Sequence, residues 1–267
     1  MDAQELRAHD VVKRRKWTNL IGLNFADVLD KEDFLEENRP YDMIFHMGAL
    51  SSTDITFRQA YERNIRFTAE LLKRWGGTDT RIAHASSTSV YGIRTEGPFK
   101  IGDPLRPANA YAMSKMVNEK QMEAYDFHNM VALRFSNVWG PNEYHKGGMA
   151  SVFLQKFNRC HDPLDAWFKD YGEYRIELFE GNPVRDFIYI KDAARIAVDI
   201  AMEELTGPFN VGSGVALSFD IMINHLINEA GLPAVIAYVP VPEKLRRQYQ
   251  NYTCLDMANI RQAFGAD

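Results

Sequence analysis

The chain has 267 residues, 46% of them hydrophobic and 25% charged, with a formal net charge of −5; it is long enough to bury one large core, or one large and one small. The acidic balance gives no electrostatic reason to expect nucleic acid or an anionic membrane as partner. No apolar run approaches the roughly 18 residues of a membrane span, the start MDAQELRAHD lacks the apolar core of a signal peptide, and Cys160 and Cys254 form no CxxC pair, so a reduced, cytoplasmic, metal-free protein is expected.

The first sixteen residues are charged and irregular, ending in Lys13-Arg14-Arg15-Lys16. Tyr41–Met47 (YDMIFHM) reads as a short buried strand, followed by a Ser/Thr turn and a helix through about Lys73. Arg81–Ser86 is the next strand, Tyr111–Phe127 the next helix, and Met130–Phe135 another apolar strand closed by an Asn/Gly/Pro turn. Beyond Pro141 the elements shorten, with Asp186–Ile190 and Phe209–Gly212 strand-like around a helix over Lys191–Glu204. Strands and helices alternating at this spacing predict an α/β fold with a doubly wound parallel sheet. The change of texture near residue 141 suggests a smaller region over the carboxyl edge of the sheet, where ligands bind in such folds. The expected division is 1–141 plus about 183–212 for the sheet domain, and 142–182 plus about 213–267 for a substrate-binding region.

Tyr111 and Lys115 stand four apart in a predicted helix, which puts phenol and ammonium on one face. A nearby cation stabilises a phenolate and lowers its pKa, making tyrosine a usable acid and base. The bland alternative is a half-buried tyrosine beside a solvated lysine. Ser87, at the carboxyl end of a predicted parallel strand, sits where ligands are expected; its own bland alternative is a turn that caps the strand.

Ser87 with Tyr111 and Lys115 resembles the Ser–Tyr–Lys triad of the extended short-chain dehydrogenases, the superfamily of nucleotide-sugar epimerases and dehydratases. His46-Met47-Gly48-Ala49 with Ser51-Ser52-Thr53 is similar to the turn that packs on the cofactor in that superfamily, and Asn64 matches its helical asparagine. Arg134 through Pro141 (RFSNVWGP) and Arg185-Asp186-Phe187-Ile188-Tyr189-Ile190 resemble two further family strings. Narrower strings resemble the ADP-L-glycero-D-manno-heptose 6-epimerases. They are Trp17-Thr18-Asn19-Leu20, Asp30-Lys31-Glu32-Asp33-Phe34, His145-Lys146-Gly147, Phe179-Glu180-Gly181, and Lys244-Leu245 with Tyr249-Gln250.

The resemblance implies epimerisation of ADP-D-glycero-D-manno-heptose at C6 by transient oxidation and reduction. Ser87, Tyr111 and Lys115 would act with Lys146 as a second acid/base. It implies NADP, with NAD possible, held by Lys16, Lys31, Met47, Gly48, Ala49, Leu50, Ser51, Asn64, Lys115, Val138 and Lys146. An ADP-sugar would meet Ser87, Asn137, Gly148, Gln155, Phe179, Glu180, Gly181, Asn182, Arg185 and Tyr249, in a homo-oligomer. The alternatives are another nucleotide-sugar 4-epimerase or dehydratase, and a cofactor-less nucleotide-sugar-binding remnant. Three features depart from the family. No G-x-x-G-x-x-G turn precedes Gly22, so a Rossmann-like sheet lacking its first strand, glycine loop and helix is expected, with an open edge and exposed apolar surface. Gly148 and Gln155 replace an expected Ser and His, and 158–175 is longer than the usual connection.

Overall fold

The computed structural model describes residues 19–37, 39–160, 166–246 and 248–265; Lys16 and Trp17-Thr18, which carried part of the resemblance, lie outside them. The chain folds as an α/β structure on a parallel four-stranded sheet, β1 (Met43–His46), β2 (Arg81–Ser87), β3 (Met130–Phe135) and β7 (Gly207–Val211), in the order β1-β2-β3-β7. In register, Ala83 pairs with Val131 and Ser87 with Phe135. Both faces of β2 and β3 are covered, which is why their sequences read as nearly unbroken apolar runs.

The period-two alternation of a strand divides the core. Ala83, Val131 and Leu133 pack with Ala193, Ala197 and Ile200 of helix α6 (Ile190–Met202) on one face. Ile82, Met130 and Ala132 pack on the other with Leu71, Leu72 and Trp75 of α2 (57–75) and Met122 of α3 (Ala110–Glu123). Helices on both faces make the sheet doubly wound, as the alternation of elements predicts. Helix α2 begins with a capping box between Thr56 and Gln59 and has a π-helical turn at Tyr61–Ile65. Helix α3 starts where the Asn109 side chain accepts the Ala112 N–H. It stops at Glu123, four residues short of expectation, because Asp126 and Phe127 turn to φ 52° and 51°, a left-handed backbone that no right-handed helix accommodates.

The rest of the chain builds two smaller sheets. Strands β4 (Asn137–Trp139), β6 (Val184–Tyr189) and β8 (Ala216–Ser218) form one, in the order β4-β6-β8. Strands β5 (Tyr174–Phe179) and β9 (Ala234–Val239) pair in parallel as the other. Helices α4 (Val152–Arg159) and α7 (Phe219–Glu229) cover a third core around Ile176, Leu178 and Ile223. Between them in sequence lies the short α5 (Ala166–Tyr171); α1 (Lys31–Glu36), α8 (Glu243–Arg246) and α9 (Ala258–Phe264) are the other short helices among the described residues.

Two buried carboxylates lock the layers together. Asp186 of β6 is fully buried and accepts the N–H groups of Ser213, Gly214 and Leu255 at 2.7, 3.1 and 3.0 Å. Glu119 of α3 takes a forked pair from Arg134 of β3, with Arg134 Nη2 at 2.6 Å and Nε at 3.0 Å, and a hydroxyl bond from Ser86. Arg134 continues to the Tyr91 hydroxyl at 2.9 Å, and Tyr91 donates to Asn210 at 2.7 Å. Strand β1 is the outer strand among the described residues, and beside it Phe45, Met47 and Leu50 are 41%, 40% and 37% exposed.

Glu119→Gln leaves the Arg134 charge buried without its counter-ion. Urea unfolding is expected to show a loss of about 3–5 kcal/mol; an unchanged midpoint and slope would contradict this assignment.

Candidate active site

The carboxyl end of β2 and the first turns of α3 meet at the residues singled out by spacing. Ser87 is the last residue of β2, and the 3-10 turn Thr88–Tyr91 follows at once. The Ser87 hydroxyl accepts from the Ser89 N–H at 3.2 Å and the Ser89 hydroxyl at 2.9 Å, and both Ser87 and Tyr111 line one cleft, where the serine favours the phenolate. Lys115, one helical turn after Tyr111, is 2% exposed; its Nζ donates to the Ala85 carbonyl at 2.5 Å and lies 5.9 Å from the Tyr111 ring centroid. Serine, phenol and ammonium are therefore together.

The electrostatics differ from the expectation in one respect. Burial raises the Tyr111 phenol above its ordinary value, and the bond from Ser87 opposes that only in part. The physical reason is desolvation, which penalises the phenolate where protein replaces much of its water. Burial likewise pulls Lys115 down to about 8, against the attraction of Glu119. Behind Lys115, the imidazoles of His46 and His84 lie tilted against each other with centroids 5.0 Å apart. Burial, and then the Lys115 charge, lowers His46 to about 4.

Two clefts flank this centre. The larger, about 1390 Å³, runs along the open side of β1 and is lined by Lys31, Met47, Gly48, Ala49 and Leu50 among others. Asn64 sits in the π-helical turn of α2 and is buried. Its amide accepts the Leu50 N–H at 2.8 Å, donates to the Leu50 carbonyl at 3.0 Å and reaches Ser114 of α3 at 2.9 Å. One side chain thus pins the 47–50 turn to the helix that carries Tyr111 and Lys115. Lys31 pairs with Glu32 at 3.2 Å and lies 5.5 Å above the Phe67 ring. Ser51 is exposed, and Val138 packs against the core beneath α6.

These features fit the nicotinamide end of a dinucleotide. A Cβ on Gly48 would meet no protein atom within 4 Å, so a planar ring has room to approach that backbone closely. Among the described residues Ala85 is the acceptor of the buried Lys115 ammonium, which leaves N–H donors for a ribose diol. No glycine-rich turn opening a helix borders this cleft among the described residues.

The smaller cleft, about 350 Å³, is lined by Ser87, Tyr111, Asn137, Arg185 and Tyr249, together with Thr53, Ser89, Asn109, Gln248 and Gln250. Arg185 is 7% exposed, lies 5.5 and 5.3 Å from the rings of Phe219 and Tyr249, and donates to its neighbour's carbonyl, Val184, at 2.9 Å. A stacked guanidinium among hydroxyls and amides is suited to an anionic, polyhydroxylated ligand. Not every expected residue reaches this wall. Lys146, Gly148, Gln155, Phe179, Glu180, Gly181 and Asn182 are absent from it. Gln155 spends its amide on the carbonyls of Gly148 and Ala150, and Lys146 is 45% exposed, 3.7 Å from Glu143. Phe179 supports the wall by an edge-to-face contact with Tyr249 at 5.3 Å. Sequence reasoning missed Asn109, Ser89 and Gln250. Asn109 was open to detection as a helix cap two residues before the tyrosine; Gln250 stood in a resembling string without a role, and the structure brings it from a distant segment to donate to the Gly92 carbonyl at 2.6 Å.

The depressed Lys115 pKa has a thermodynamic sign. Between about 8 and 10.5 the unfolded chain binds this proton and the folded one does not, so the lysine's contribution to stability rises with pH across that window. Relative to Lys115→Met, the wild type is expected to gain up to about 3 kcal/mol between pH 8 and 10 in urea titrations. A pH-independent difference would contradict the assigned burial.

The sequence pattern of the NAD dependent epimerase/dehydratase family matches residues 2–212. In structure the chain is similar to the ADP-L-glycero-D-manno-heptose-6-epimerase of Helicobacter pylori, with 25% identity, a TM-score of 0.74, and 94% of this chain aligned to 76% of that one. The fold is also shared with the UDP-N-acetylglucosamine 4-epimerase of Methanobrevibacter ruminantium M1 (22%, TM-score 0.72, 88% and 73% covered). A third neighbour is the UDP-glucuronic acid 4-epimerase of Bacillus cereus, solved with NAD (21%, TM-score 0.70, 90% and 73% covered). With four-fifths of its length matched and the doubly wound sheet in place, the chain belongs to the NAD dependent epimerase/dehydratase family.

Proposed function

We propose that this chain inverts a hydroxyl-bearing carbon of a nucleotide sugar, and that the substrate is an ADP-heptose inverted at C6. The observation that carries the reaction class is the Ser87–Tyr111–Lys115 cluster at the strand end, between the cleft along β1 and the polar cleft around Arg185. The likeness to the Helicobacter pylori enzyme and the strings around Lys146 and Tyr249 support the choice of sugar.

A carbon that carries a hydroxyl and has no carbonyl neighbour is not acidic enough to lose its proton directly, so inversion calls for transient oxidation. A bound nicotinamide cofactor supplies that chemistry by accepting hydride and returning it. Met47–Leu50, clamped by Asn64, would pack on the ring, and Lys115 would bind the ribose. Lys31, on the wall of the larger cleft, favours a 2′-phosphate there and hence NADP. Tyr111 must first release its own proton to solvent; as the phenolate it takes the hydroxyl proton while the carbon is oxidised and gives it back afterwards. Ser87 donates a hydrogen bond to the same oxygen, where negative charge develops. The raised proton affinity of Tyr111 makes the neutral phenol its resting form in the free protein. Lys146 serves the opposite orientation of the transient carbonyl, which requires its exposed side chain to extend from Glu143 to the cleft. Arg185, flanked by Tyr249, holds the anionic nucleotide.

Titration with NADP and NAD, followed by incubation with ADP-D-glycero-D-manno-heptose, is expected to give the 6-epimer. Tyr111→Phe and Lys146→Met are each expected to lower kcat by about 100-fold or more, with nucleotide-sugar binding held within about threefold. Wild-type rates in both variants would discard the mechanism. Turnover of UDP-sugars alone would assign a 4-epimerase, and sugar-nucleotide binding without any cofactor binding would assign a non-catalytic binder.

A further inference from the structure

The loop 140–151 joins β4 to α4 and carries Lys146, and its conformation hangs on one carboxylate. Glu143 is 6% exposed. Its Oε1 accepts the Gly140 N–H at 3.2 Å and its Oε2 accepts the Ser151 N–H at 2.7 Å, so the two ends of the loop are drawn onto the two oxygens of a single side chain. Gly140 has φ 149°, and a Cβ there would lie 2.3 Å from Ile190, so only glycine fits at this end. At the centre, the Lys146 ammonium stands 3.7 Å from Oε2 and 45% exposed. Both carboxylate oxygens already hold backbone partners, so the ammonium is a third, loosely held one. An ion pair this open to water contributes little energy by itself and is easily exchanged for another anion or oxygen.

We propose that Glu143 is the positioning residue of Lys146: it closes the loop through both oxygens and parks the ammonium until a sugar nucleotide replaces the carboxylate as its partner. This rests on the reading of Lys146 as the second acid/base. It also explains why an ammonium absent from the wall of the smaller cleft is nonetheless held in a fixed loop. The chemistry makes the carboxylate hard to replace. Glutamine has one acceptor oxygen, and its NH2 would face a backbone N–H donor at one end of the loop. Aspartate keeps the charge but is one methylene too short to reach both ends.

Two measurements test this. Hydrogen exchange read at Gly140 and Ser151 is expected to quicken about tenfold or more in Glu143→Gln, as one buried bond is lost, while the amides of β3 stay unchanged. In the cofactor-loaded protein, Glu143→Gln is expected to lower kcat about tenfold or more with KM for the nucleotide sugar within about twofold. Added to Lys146→Met it is expected to cost nothing further, because the lysine it positions is gone. Equal losses with and without the lysine would overturn the proposal, since a merely structural carboxylate is indifferent to Lys146; so would unchanged exchange or a full kcat. Should Glu143→Gln fail to fold, Glu143→Asp is read in the same way. If Lys146→Met is slow and the Glu143 variant is not, only this proposal falls. If Lys146→Met keeps the wild-type rate, the role of the lysine falls and its positioning residue with it.

Discussion

The Lys115 ammonium, held out of water between α3 and β2 with the Ala85 carbonyl as acceptor, sets how the helix lies against the strand end. Removing a charge from water costs several kcal/mol unless polar partners replace the solvent. The fold meets that cost locally. Glu119, one turn further along the same helix, supplies an opposing charge and is itself fixed by Arg134 and Ser86. With Lys115 and Glu119 both anchored, α3 cannot slide along the sheet, and Tyr111 is delivered to Ser87. The same helix offers Ser114 to Asn64, which carries the constraint to the turn 47–50 and so to the wall of the larger cleft.

A second buried carboxylate plays the corresponding part on the opposite flank. Asp186 gathers backbone N–H groups from 213–214 and from Leu255, so the segment carrying Tyr249 and Gln250 returns across the end of the sheet. The smaller cleft is therefore walled by pieces distant in sequence, from Thr53 to Thr253. Its shape depends on tertiary anchoring rather than on any one element.

That division explains what was legible in the sequence. The parallel sheet followed from apolar runs such as Met130–Phe135, because burial on both faces removes polar alternation. The triad followed from two local rules, the four-residue helical repeat from Tyr111 to Lys115 and the strand-end position of Ser87. What escaped depended on the third dimension. The direction of the Tyr111 shift is decided by burial, which spacing does not encode. Glu143 looks like any polar loop residue until both its oxygens are found beneath the backbone. Gln155 was assigned to substrate by resemblance, yet its amide is committed to its own loop. The pairing of β5 with β9, some sixty residues apart, leaves no periodic trace that separates it from other short strands.

The proposed function rests on hydride leaving the inverted carbon and returning to it beside Ser87, Tyr111 and Lys115. Its most direct test uses a nucleotide sugar deuterated at the carbon undergoing inversion, with the label followed by mass spectrometry in the epimerised product formed by the cofactor-loaded protein in ordinary water. Hydride return requires the deuterium to be retained in that product. Loss of the label to solvent would mean that the carbon was deprotonated instead, and would contradict the account.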